Sequence, residues 1–158
     1  MLPSPTPKSD AGRAQAVDLL NPLALEAVSV SLLARMAHWN VRGPAFGPLH
    51  ELFGEVYDAM SGHADRIAER VATLGGIALG EVALQKGVNV TIPALGALDG
   101  LTMCGPVADA LDAFSKRCGA AFDRLTEARF TADTNALQDV IESVEKLSWK
   151  VRSHIITA

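Results

Sequence analysis

Four stretches of helix-period apolar residues, separated by two short gaps and one long gap, leave this chain few ways to fold. Asn21-Pro22 offers an N-cap followed by a proline at the first helical position. From there Leu25, Val28, Leu32, Met36 and Trp39 recur at helical spacing until Gly43-Pro44. Residues 11–20 are helix-prone too, which lets this first helix begin earlier and kink near Pro22. The second starts near Gly47-Pro48 and carries Leu49, Phe53, Val56, Met60, Ala64, Ile67, Val71 and Leu74 before Gly75-Gly76 stops it. A third opens at Gly105-Pro106, with Val107, Leu111, Phe114, Cys118, Ala121 and Leu125 inward. The fourth takes Asp133 or Thr134 as its cap, followed by Leu137, Ile141, Val144, Leu147, Val151 and Ile155. Gaps of about five residues make the first two helices, and the last two, antiparallel hairpins. Residues 76–105 are too many for a tight turn and are interrupted by Pro93, Gly96 and Gly100. Such a segment can run the length of the bundle, with room for a short helix over "EVALQKG". The expected architecture is all-α: a four-helix bundle over residues 21–158 with one long crossover between its second and third helices. Residues 1–20 form an N-terminal tail with room for an earlier helix start. No strand-period pattern runs longer than "GVNVTIP", and there is no internal repeat.

A length of 158 residues suits one domain with a real core, and 49% hydrophobic with 20% charged residues excludes a disordered chain. Abundant alanine and only 5% aromatics favour close-packed helices over a sandwich or barrel. Cys104 and Cys118 lie fourteen apart without a CxxC, so they read as buried thiols of a reducing compartment. The start "MLPSPTPKSDAGR" has no apolar h-region, and no segment reads as a membrane span, so a cytoplasmic location is expected. A net charge of −4 argues against nucleic acid as an obligatory partner. Lys8 and Arg13 are cancelled by Asp10 and Asp18, which leaves Lys146, Lys150 and Arg152 as a thin basic patch at the C-terminal end.

A bundle with that crossover is the ferritin-like arrangement. Bundles of this kind that hold two irons within one subunit use ExxH pairs, and here Arg35, Gly47, Met60 and Val151 stand three residues before the four histidines. A different site fits. His38 and His50 lie six residues either side of Pro44, so an antiparallel hairpin sets them level and lets two imidazoles converge. A divalent metal would want carboxylates beside them, and Asp65 and Glu69 share one face of the second helix. Asp65, however, is fifteen residues beyond His50, roughly 22 Å along the axis. Ligands of one metal lie within about 4 Å of one another. The two halves can meet only between subunits, across a two-fold axis that lays the second helix antiparallel to its copy.

"HWNVRGPAFGPLHELF", followed by "DRIAERVATLGG", resembles the Dps family, the DNA-protecting mini-ferritins of starved bacteria. The resemblance is close over the first two helices and extends to the rest in length and layout. It implies a twelve-subunit shell with an iron-oxidising centre at the dimer interface. By position the ligands are His38 and His50 of one subunit with Asp65 and Glu69 of the other. Iron is then the bound metal, Fe(II) is oxidised by hydrogen peroxide or oxygen, and ferric mineral is stored in the shell. The departure is Gly54, where the family pattern usually has Asp, one helical turn after the second histidine. Glu51, Glu55 and Asp58 are near it, but none takes the same place on the helix. The rival expectation is a cage or DNA-compacting protein that has lost efficient iron oxidation.

Simpler readings stand beside these. His38 or His50 alone suits a satisfied core histidine, and Asp65 and Glu69 suit a solvated face paired with Arg66 and Arg70. Trp39 is either a trap for oxidising equivalents or, like Trp149, a bulky core residue. His63 reads as exposed or as a support to the ligands. Asp133, Asp139 and Glu142 suit a capped, solvated helix start, the alternative being the lining of an iron inlet on a three-fold axis.

Overall fold

The computed structural model describes residues 1–79 and 100–155. Among the described residues there are four helices: α1 (Asp10–Asn40), α2 (Phe46–Thr73), α3 (Gly100–Glu127) and α4 (Thr131–Arg152). They form a four-helix bundle in which α1 packs on α2, α3 packs on α4, and the two hairpins meet through α1 with α3 and α2 with α4. Phe53, Phe114, Leu20, Leu33, Met60, Ile67, Leu111 and Leu137 fill the interior, all fully buried or nearly so.

Hydrogen bonds at the two ends establish the topology. The amide of Gly100 donates to the carbonyl of Arg42 (3.1 Å), so α3 starts beside the α1–α2 turn. Its Cα lies so close to Val41 and Leu49 that a Cβ would stand 2.8–2.9 Å from their side chains. At the opposite end the amide of Leu2 donates to the carbonyl of Gly75 (2.8 Å), which sets the end of α2 beside the start of α1. The end of α2 and the start of α3 therefore lie at opposite ends of the bundle. The short helix expected over "EVALQKG" lies outside the described residues.

Several helix ends differ from the sequence reading. Asn21 does not cap α1; Ser9 does, accepting the amide of Gly12 at 3.2 Å, and the helix runs on through Pro22. Asn21 instead clasps the segment after α2, donating to the carbonyl of Ile77 and accepting the amide of Leu79. Helix α3 begins at Gly100, ahead of Gly105-Pro106, and carries Pro106 inside it. Helix α4 begins at Thr131, ahead of both expected caps, and Asp133 instead accepts a hydrogen bond from Arg70 of α2 at 2.9 Å. The N-terminal segment is pinned to the bundle. Arg13 is buried, with Nη1 donating to the carbonyls of Leu2 and Leu74, and Lys8 donates to the carbonyl of Ala128 over the ring of Phe130.

The largest correction concerns α1. Its core face is Ala16, Leu20, Leu23, Ala24, Ala27, Val30, Leu33, Ala34 and Ala37, whereas Val28, Leu32 and Trp39 of the expected stripe are 42%, 48% and 57% exposed. The period was right and the face was not, because alanines and leucines supply a second apolar stripe that packs more closely. Helix α1 is consequently apolar on both sides, and by length and composition it could cross a membrane, contrary to the sequence expectation. More than half of its most apolar window is buried inside the bundle. A helix that is apolar all round is normally covered on every side. Trp149 is also no core residue, being 66% exposed. Cys104 and Cys118 are both buried, and burial pushes the Cys118 thiol up to about 12 against the opposing charge of Arg117, which leaves it unreactive.

Candidate metal centre

The α1–α2 turn is built to bring two imidazoles together. Asn40 donates from Nδ2 to the carbonyl of Met36 and closes the last turn of α1. Val41 is fully buried, and Gly43 takes φ 98°, a left-handed conformation that a side chain would resist. The chain thereby reverses within five residues, and the level placement of His38 and His50 follows.

The two rings stack with centroids 3.8 Å apart and planes 21° from parallel. Their polar contacts are reciprocal: Nδ1 of His38 lies 2.7 Å from the carbonyl of His50, and Nδ1 of His50 lies 2.9 Å from the carbonyl of His38. A carbonyl oxygen only accepts, so each Nδ1 carries the proton. In the neutral ring the lone pair is then on Nε2, the arrangement typical of histidines that ligate a metal through Nε2. The helix backbone thus selects the Nδ1–H tautomer of both residues. Phe46, four residues before His50 on the same face, also stacks with the His50 ring at 5.1 Å. The sequence reading missed Phe46 as part of the site, although the i, i+4 spacing carried the signal.

Gly54 faces this pair. A Cβ there would stand 3.2 Å from Nδ1 and 3.4 Å from Cε1 of His38. The missing side chain gives the His38 ring its room, so the glycine has a packing role as well as lacking a carboxylate. Of the nearby acids, Glu55 is paired with Lys150 at 2.5 Å.

Asp65 and Glu69 are exposed on α2 and, among the described residues, neither carboxylate has a hydrogen-bond or ion-pair partner. The pairing with Arg66 and Arg70 does not form. Both arginines turn to α4, Arg66 to Asp139 at 2.5 Å and Arg70 to Asp133 at 2.9 Å. Asp133 is therefore a buried partner of Arg70, and Asp139 an exposed partner of Arg66. His63 is half-buried and bonds through Nε2 to Ser143 Oγ at 2.9 Å, which ties it to α4. Burial, helped by the charge of Arg66, holds His63 below the usual histidine range. Among the described residues of one chain, no three His, Cys, Asp or Glu side chains gather into a metal cluster.

Four helices in two short-turned hairpins, with the end of α2 and the start of α3 at opposite ends, define a ferritin-like bundle, and a family model of the ferritin-like domain matches residues 17–157. The chain is 31% identical over 146 residues to a DNA protection during starvation protein of Agrobacterium fabrum, covering 88% of this chain and 86% of that one. Its fold matches DpsC from Streptomyces coelicolor with a TM-score of 0.90 at 25% identity, over 99% of this chain and 92% of that one. It also matches Dps from Microbacterium arborescens in the high iron form, with a TM-score of 0.83 at 27% identity, covering 98% and 99%. The chain belongs to the Dps family of ferritin-like proteins.

Proposed function

We propose that this chain is a mini-ferritin subunit that binds Fe(II) between two copies of itself, oxidises it and stores the ferric product in a twelve-subunit shell. The observation that carries this reading is the His38–His50 pair, whose hydrogen bonds present two Nε2 lone pairs from stacked rings. Asp65 and Glu69 of a second copy complete the ligand set. Their lack of partners among the described residues supports this, as does the exposed apolar stripe of α1, which a second copy would cover. Hydrogen peroxide or oxygen is the oxidant: each Fe(II) gives up one electron, and peroxide accepts two as its O–O bond breaks. The ferric ions then hydrolyse and release protons. Protein side chains supply position and charge, while iron supplies the redox chemistry. A cytoplasmic location and a role in limiting oxidative damage fit this activity.

A stopped-flow trace of Fe(II) oxidation by peroxide, with and without protein, tests it. The protein should raise the rate well above that of free Fe(II), and unaltered kinetics would remove the enzymatic claim. Gly54 favours the second reading, a cage with impaired oxidation, which the same trace separates from the first.

DNA binding should be weak or absent at physiological salt. Twelve copies at −4 each carry about −48, which repels phosphate. The basic C-terminal patch is weaker than its sequence suggests, because Lys150 pairs with Glu55 and Arg152 with Asp109 and Asp112. Those two carboxylates hold Arg152 above its ordinary pKa. Lys8 and Arg13 of the N-terminal segment are likewise engaged. A stable gel shift at physiological ionic strength would contradict this expectation.

A further inference from the structure

We infer that Asp139, with Asp133 on the same helix, is a positioning residue: it draws an arginine of α2 onto α4 and so keeps Asp65 and Glu69 free for a divalent cation. This rests on the proposed role of those two carboxylates. Helix α2 carries two like-charge i, i+4 pairs side by side, Asp65 with Glu69 and Arg66 with Arg70. Each pair repels itself, and the simplest relief within the helix would pair Arg66 with Glu69 at i, i+3. That pairing is absent. Arg66 reaches Asp139 and Arg70 reaches Asp133, so α4 neutralises the cationic pair and, among the described residues, the anionic pair is left uncompensated. Asp133 is 1% exposed, a desolvated carboxylate that needs its arginine, whereas the Arg66–Asp139 pair is half-exposed on both sides. The exposed pair contributes little to folding, which makes it the useful place to intervene.

Three variants of the full chain, Asp139→Asn, Arg66→Gln and the double variant, are titrated with Co(II) at constant ionic strength. The cobalt absorption band is the readout, and wild type and Glu69→Ala are the references. Asp139→Asn should weaken Co(II) binding about 1.4- to 2.3-fold, the size of one helical ion pair gained by Glu69. In the Arg66→Gln background the same substitution should have no effect, since the competing cation is gone. A simple loss of negative charge would act equally in both backgrounds, so equal losses overturn the inference, as does no loss in either. Failure of the underlying reading looks different: wild type then binds no Co(II), or binds it as well as Glu69→Ala does.

Discussion

Mixing two inactive variants should restore about one quarter of the wild-type metal sites. One variant, His38→Ala/His50→Ala, keeps the carboxylates; the other, Asp65→Ala/Glu69→Ala, keeps the imidazoles. Each alone lacks half of every site, and the loss of first ligands should reduce iron affinity by more than the 10–100-fold typical of their supporting groups. When equal amounts are unfolded and reassembled together, about half of the two-fold pairs contain one of each. In such a pair one site joins two defective halves and the other joins two intact halves. Half of the pairs, with one of two sites restored, make about a quarter of all sites. Sites built within one subunit would remain dead in every mixture. Iron-binding stoichiometry and the oxidation rate of the co-assembled sample check this. Recovery near zero, with mixed assembly verified by mass spectrometry, would sink the intersubunit site.

The second large effect is expected at Gly54. A helix-interior glycine costs about 0.5–1 kcal/mol relative to alanine, so Gly54→Ala gains on backbone grounds. Against that gain, the new Cβ meets the His38 ring at 3.2 Å, and the ring is held in place by its stacking with His50 and its bond to the His50 carbonyl. These terms are of similar size, so Gly54→Ala should melt close to wild type and leave iron binding unchanged. Gly54→Asp places the same Cβ but adds a carboxylate one helical turn beyond His50. It should raise occupancy of a second iron position by at least about tenfold, the scale set by ligand support, and speed Fe(II) oxidation accordingly. The alanine variant separates crowding from ligation. Two tight irons per site in the unmodified protein would defeat the idea and turn attention to Glu51 or Asp58.

Much of the fold was legible because helical periodicity and connection length are local quantities. Leu49, Phe53, Val56, Met60, Ala64, Ile67, Val71 and Leu74 were read as the inner face of α2, and all are buried. On α1 the same method chose the wrong face, since Val28, Leu32 and Trp39 have helical period but lie outside. Periodicity cannot rank two apolar stripes on one helix. Only the fit of small alanines against α2 and α3 decides which one faces the core. Proline and capping signals failed similarly: Pro22 and Pro106 sit inside helices whose neighbouring packing outweighs one missing amide.

For the candidate site, the chain by itself determined which residues stand level across a short turn and which are separated along an axis. His38 and His50 could be paired, and Asp65 and Glu69 set apart from them, because residue spacing converts directly into distance in a helix. Tertiary structure decided the rest. The direction of two Nδ1 protons depends on two carbonyls that meet only when the hairpin closes. The freedom of Asp65 and Glu69 depends on α4 arriving with Asp133 and Asp139 to take the arginines. The room that Gly54 leaves is filled by a ring from another helix. Hydrogen bonds and ion pairs act over a few ångströms between residues distant in the chain, so their partners are chosen by packing.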